Sequence, residues 1–298
     1  MLKGTLSCAI MDHPARRLRA RLAEPGILIV PGVVDAITAR LVEEAGFPAV
    51  YLTGAGLANA QFGLPDLGLI GLAEVAEQTV RIAEATSLPV IVDADTGYGN
   101  PLNVHRTVRV LERAGAAAIQ LEDQVSPKRC GHFSGKQVIP CEEMVQKVRA
   151  AIEARRNPET VIIARTDALA VYGLEDAIVR AQRYWAAGAD MIFVESPRDR
   201  EQFLQIARAV EAPLVANMVE GGHSPLLSAH DLEAMGYKVA LFANTALRVA
   251  LAAVREALAV LAREGSTATI LDRLLSWEER QRLAGLPSWQ ALEERYRS

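Results

Sequence analysis

The first residues that could do chemistry are two aspartates two positions apart, Asp93 and Asp95 in VDADTG. In an extended chain that spacing places both side chains on one side. Glu122, and Asp66 in QFGLPDLG, could join them in a hard, oxygen-rich cluster. Crowded carboxylates repel one another unless a cation neutralises them. Mg2+ suits such a set, because it takes few carboxylates, keeps waters and shares sites with substrate oxygens, and Mn2+ can substitute. Zn2+ would want His or Cys at ligand spacing, and none of the five histidines offers a pair. Asp66 has a plainer alternative reading, as a helix cap.

The segment KRCGHFSGK (128–136) is the second candidate. Cys130 stands beside Arg129, with Lys128 and Lys136 near, and cationic neighbours lower a thiol's pKa. Gly131 and Gly135 suggest a loop that can close as a lid. Cys8 and Cys141 read instead as inert, and His132 reads equally as a site residue or a loop brace. EGGH (220–223) reads as a turn, with a phosphate nest as the less favoured alternative. Lysine chemistry can be tested by subtraction. The five lysines are Lys3, Lys128, Lys136, Lys147 and Lys238, and none ends a strand, which argues against a Schiff-base aldolase. Carbon–carbon chemistry would then need a metal to hold an enolate.

These residues need elements to position them. Eight short apolar runs recur, at 27–32, 49–54, 89–97, 116–123, 160–167, 189–196, 212–219 and 238–244. They are nearly all-apolar rather than alternating, which suits parallel strands buried on both faces. Amphipathic segments of helical period lie between them, several ending in Gly. Eight such units predict a (β/α)8 barrel over 27–264. A doubly wound sheet is the alternative, but no Gly-x-Gly-x-x-Gly follows the first run. The chain would be a single domain, with an extension at 1–26 and a C-terminal helical arm at 265–298.

A barrel makes a sharper prediction, because reactive residues should sit at the C-terminal ends of strands. Those ends carry Tyr51 and Thr53, Asp93 and Asp95, Glu122 and Asp123, Arg165 and Asp167, Glu195, Asn217 and Asn244, with Arg248 one turn onward. Unpaired charge at a buried strand tip is costly, so a rim this polar points to a site rather than to chance.

Composition narrows the class. The 298 residues carry 32 Lys plus Arg against 36 Asp plus Glu, a net charge of −4. That balance argues against a nucleic-acid or anionic-membrane partner. No apolar run reaches the roughly 18–20 residues of a membrane span. No signal peptide is visible, and three unpaired cysteines do not make a disulfide framework, so a cytoplasmic location is expected.

VDADTGYGN (92–100), IQLEDQVSPKRCGH (119–132), ARTDA (164–168) and ANMVEGGHSP (216–225) resemble the isocitrate lyase/phosphoenolpyruvate mutase superfamily. KRCGH resembles its lyase branch, the methylisocitrate, 2,3-dimethylmalate and petal-death lyases. The resemblance implies that Asp93 and Asp95 hold Mg2+, with Asp66 and Glu122 further out. It implies that Thr53, Gly54 and Ala55 bind the pyruvyl part of a substrate, and that Gly131, His132, Arg165, Glu195, Asn217 and Arg248 bind or line the rest. Tyr51 becomes a candidate base for a 2-hydroxyl, and Cys130 the acid that protonates the departing enolate. The implied reaction cleaves a 2-hydroxy di- or tricarboxylate to pyruvate and a second acid. A homotetramer of helix-exchanged dimers is implied too, with the arm's Leu271, Leu274, Leu275, Trp277 and Trp289 available for it.

One departure bears on substrate. Trp277 falls where methylisocitrate lyases resemble one another in a late arginine for a third carboxylate, with Arg280 close by. This favours an alkylated malate. A phosphonomutase, an oxaloacetate decarboxylase and a non-catalytic binding barrel are the competing readings.

Overall fold

In the computed structural model, which describes residues 13–297, eight parallel strands close into a barrel in chain order. They are β1 (Leu28–Val33), β2 (Val50–Leu52), β3 (Val90–Asp93), β4 (Ala116–Glu122), β5 (Val161–Thr166), β6 (Met191–Val194), β7 (Leu214–Asn217) and β8 (Val239–Phe242). Leu28 pairs with Val239, which closes β1 onto β8. All eight apolar runs became strands, because each is buried on both faces: inward against the barrel interior and outward against helices. Cys8 and Lys3 lie outside the described residues.

The helix Pro14–Ala23 lies in the stretch read as an extension. Its Ala15 and Leu18 are packed with Val30, Ile91 and Phe193, so it closes the interior from below. Two further helices have no counterpart in the sequence reading, Gly54–Phe62 and Leu169–Tyr172. The first lacks an amphipathic stripe and is rich in small residues, so periodicity does not show it.

The helix after β8, Thr245–Glu264, differs from the others that follow strands. It has no buried residue among its twenty. Val249, Leu251, Val254, Leu258 and Leu261 are all exposed, Val249 at 65%. The arm continues as a 3-10 turn (Ala268–Arg273) and the helices Trp277–Leu283 and Leu286–Arg297. Among the described residues of this arm, only Ile270 and Leu283 are buried. Among the described residues no helix is long and apolar enough to cross a membrane.

Candidate active site

The C-terminal ends of the strands surround a cavity of about 170 Å³. Tyr51, Thr53, Ala55, Asp66, Asp93, Cys130, Gly131, His132, Arg165, Glu195 and Asn217 line it, as do Lys128, Phe193, Val219, Glu220, Leu241, Ala243 and Asn244. The structure therefore brings most of the expected residues to one place.

Asp93 and Asp95 both face Gly54, where an added Cβ would lie 3.1 Å from Asp93 Oδ2 and 3.3 Å from Asp95 Oδ1. Asp93 accepts hydrogen bonds from the Gly54 and Asp95 amides at 3.3 and 3.2 Å. Asp95 reaches its position through a left-handed backbone (φ 46°). Burial and the Asp93 charge push the Asp95 carboxyl up to about 7, against the pull of Lys128.

The four acids do not form one cluster. Lys128 is inserted between them: its ammonium pairs with Asp66 and stands 3.0 Å from Asp95 Oδ1. Glu122 turns instead to Arg165, whose Nε is 3.2 Å from its Oε2. Sequence reading treated Lys128 as a neighbour of Cys130 and missed this role. No periodicity marks it, since its long side chain reaches back from a loop. Among the described residues no three acid, thiol or imidazole side chains converge as a complete ligand set. Glu122 Oε1 nevertheless stays buried without a hydrogen-bond donor, and Asp95 Oδ1, also buried, meets only the Lys128 ammonium, outside good hydrogen-bond geometry. A cation that keeps several waters, as Mg2+ does, fits a site with few protein oxygens.

Arg165 anchors the opposite wall. Asp167 accepts from its Nε and Nη2 at 2.9 and 3.1 Å, and also from Lys136 Nζ at 2.7 Å. Burial alone would raise the Asp167 carboxyl, but these two cations outweigh it and hold it at about 2. Asp123 serves structure: it accepts from Thr166, Tyr184, Arg180 and the Asp167 amide, wholly buried.

Cys130 sits on the loop after β4, its N–H on the Asp66 carbonyl at 3.1 Å. The expectation of a thiol with lowered pKa is overturned. Burial pushes it up, and the lysines that were to lower it are turned away to Asp66, Asp95 and Asp167. Tyr51 is likewise pushed well up, by burial and by Asp93, so it holds its proton. His132 is pushed down by burial and stays neutral. Its Nε2 lies 3.2 Å from Glu195 Oε1, out of hydrogen-bond alignment.

Thr53 caps the helix Gly54–Phe62: its Oγ1 accepts from the Gly56 N–H at 3.2 Å. Thr53 Oγ1 also donates to Asn244 Oδ1 at 3.3 Å. Ala55, second in that helix, has an N–H with no helical acceptor, an anion-favouring position on the cavity wall. The Gly54 N–H is committed to Asp93 rather than left for a substrate. Asn217 Oδ1 is buried without a partner. Arg248 is absent from the wall: its guanidinium lies outside, bonded to the Glu220 carbonyl at 2.5 Å. Trp277 and Arg280 do not line the cavity either. They stack on each other, 4.2 Å from guanidinium to ring, on the exposed arm. Two of the EGGH amides are occupied, Gly222 on Val219 O and His223 on His132, as in a turn.

A closed parallel barrel with a carboxylate-rich, cysteine-guarded rim defines a class of enzyme, and comparison places the chain within it. The phosphoenolpyruvate phosphomutase family model matches residues 18–262. The 2,3-dimethylmalate lyase of Eubacterium barkeri is 42% identical, covering 95% of this chain and 98% of its own. The 2-methylisocitrate lyase of Aeropyrum pernix is 45% identical, over 94% and 90%. A solved phosphonopyruvate hydrolase, in complex with oxalate and Mg2+, superposes with a TM-score of 0.86 at 32% identity, covering 96% of this chain and 100% of that one. The chain belongs to the phosphoenolpyruvate phosphomutase family and is a carbon–carbon lyase of its superfamily.

Proposed function

We propose that the enzyme cleaves an alkylated 2-hydroxy dicarboxylate, such as 2,3-dimethylmalate, to pyruvate and a second carboxylic acid, with Mg2+ as cofactor. The observation that carries the substrate class is the cavity's cations. Lys128 is paired with Asp66 and Asp95, and Arg165 with Asp167 and Glu122. Arg248, the residue expected to add a third, is held outside by Glu220. A third substrate carboxylate would meet Glu220 at the mouth, whereas Phe193, Val219, Leu241 and Ala243 offer an apolar wall to an alkyl group.

Asp93 and Asp95 would hold the cation, with Glu122 and Asp66 further out. Bound there, it would supply Lewis acidity toward the oxygens of the 2-hydroxy acid. Ala55 and Thr53 receive the substrate's C1 carboxylate at the helix N-terminus. Arg165 and Asn217 bind the other oxygens. Loss of the 2-hydroxyl proton lets the C2–C3 bond break, and its electron pair leaves as the enolate of the departing acid. Cys130, a protonated thiol, delivers a proton to that enolate's carbon. Tyr51 is the candidate to receive the hydroxyl proton, and would do so as a phenolate, its own proton having left to water before the loop closes and the nearby cation favouring the charged form. Closure of the Cys130 loop excludes water from the carbanionic stage.

The exposed face of Thr245–Glu264 supports assembly by exchange of this helix between copies, with a homotetramer as the expected end state. The substrate reading is tested by pyruvate release, coupled to lactate dehydrogenase, from 2,3-dimethylmalate and 2-methylisocitrate. Preference for the dimethylmalate is expected, and preference for the tricarboxylate would overturn it. Phosphorus NMR on phosphonopyruvate tests the mutase alternative.

A further inference from the structure

We propose that His223 is a positioning residue, which latches the Cys130 loop shut over the cavity by seating His132. The inference uses the reading that Cys130 acts at this cavity, but not the identity of the substrate.

The Cys130 loop and the loop after β7 line the cavity from opposite sides, and His132 joins them. Its Nδ1 accepts the His223 backbone N–H at 3.1 Å. Its carbonyl oxygen pairs with His223 Nε2 at 2.9 Å, so Nε2 carries the proton and donates. The two rings are 5.7 Å apart. The fit is close: a Cβ on Gly222 would lie 2.7 Å from His132 Cε1. The backbone bond also sets chemistry. With Nδ1 accepting, neutral His132 carries its proton on Nε2, facing Glu195.

Packing does not hold the loop from behind. A second cavity of about 430 Å³ lies there, lined by Gly131, Phe133, Lys136, Ser196, Arg198 and His223. The loop therefore has room to move outward, and hydrogen bonds must retain it. Lys136 secures the Gly131 carbonyl from the barrel side. On the side of the β7 loop the tie is His223. Its side chain is exposed, so it adds little to the core, and its loss should loosen the loop without unfolding the barrel.

The test alkylates the full-length protein with iodoacetamide and maps modified cysteines by mass spectrometry, with Cys141 as internal reference. In His223→Ala the Cys130 rate should rise about five- to tenfold, the scale of one lost hydrogen bond. His223→Gln, whose amide can donate to the same carbonyl, should restore the slow rate. The melting temperature should not change. In turnover, His223→Ala should lower kcat more than it alters KM, and His223→Gln should recover it. An unchanged Cys130 rate, a parallel rise at Cys141, or no rescue by Gln would overturn the latch. Labelling needs no substrate, so failure of dimethylmalate turnover with this labelling pattern intact would overturn the substrate reading and support the latch.

Discussion

Arg165 and Asp167 are two residues apart at the end of β5 and grip each other side-on, through hydrogen bonds of 2.9 and 3.1 Å. Both are buried, and Asp167 is also the counter-ion of Lys136. One acid therefore keeps the cavity-lining guanidinium in place and ties down the lysine that secures the Cys130 loop. Asp167→Asn would leave two buried cations short of charge and should cost about 3–5 kcal/mol in urea unfolding. The pH dependence follows from a carboxyl held at about 2, below its unfolded value near ~3.9. The stability difference between wild type and variant should be full above roughly pH 4 and shrink as pH falls toward 2. A difference that grew on acidification would contradict this.

Gly131 allows the loop to lie directly on the ion pairs. A Cβ there would be 2.5 Å from Glu195 Oε1 and 2.6 Å from Arg165 Nη2. Gly131→Ala should lift the loop and reduce kcat/KM by about 100-fold, a loss typical of misplacement by an ångström. Circular dichroism and melting temperature should be nearly unchanged.

Cys130→Ser keeps a hydroxyl but loses a thiol's acidity. kcat should fall by about 10²–10⁴, the range for a lost general acid, with KM moving little. A proton donor with a raised pKa keeps its proton to higher pH. The wild-type rate should thus fall only as pH rises past the ordinary thiol value of about 8.5. An alkaline limb below neutrality would argue against Cys130 as the acid.

Removal of divalent cation with EDTA should abolish turnover, and added Mg2+ or Mn2+ should restore it. In calorimetry Asp95→Asn should weaken Mg2+ binding at least about tenfold, because a neutral amide replaces one of few anionic ligands. Normal binding by this variant would remove Asp95 from the site.

The barrel was legible because its strands are apolar on both faces and helices of regular period separate them. The rim residues followed from the barrel geometry, which predicts reactive groups at strand ends. What remained hidden depends on long side chains and on pairing. Lys128 reaches back to Asp66 and Asp95, and Lys136 to Asp167, distances of 31 to 62 residues along the chain. Spacing suggested one carboxylate cluster and an activated thiol, yet Lys128 divides the first, and both lysines, turned to carboxylates, leave the second unactivated. Arg248 was misplaced for a related reason: a helix position fixes its Cα, and Glu220 decides where the guanidinium goes.

The exposed helix Thr245–Glu264 has a last consequence. Its first turn borders the cavity mouth, with Thr245 hydrogen-bonded to Glu220, while its later turns present leucines and valines to water. In the proposed exchange, the copy that covers those side chains would also fix the angle at which the helix leaves the barrel. Under the proposed exchange of this helix between copies, dilution should therefore blunt turnover, making specific activity depend on protein concentration.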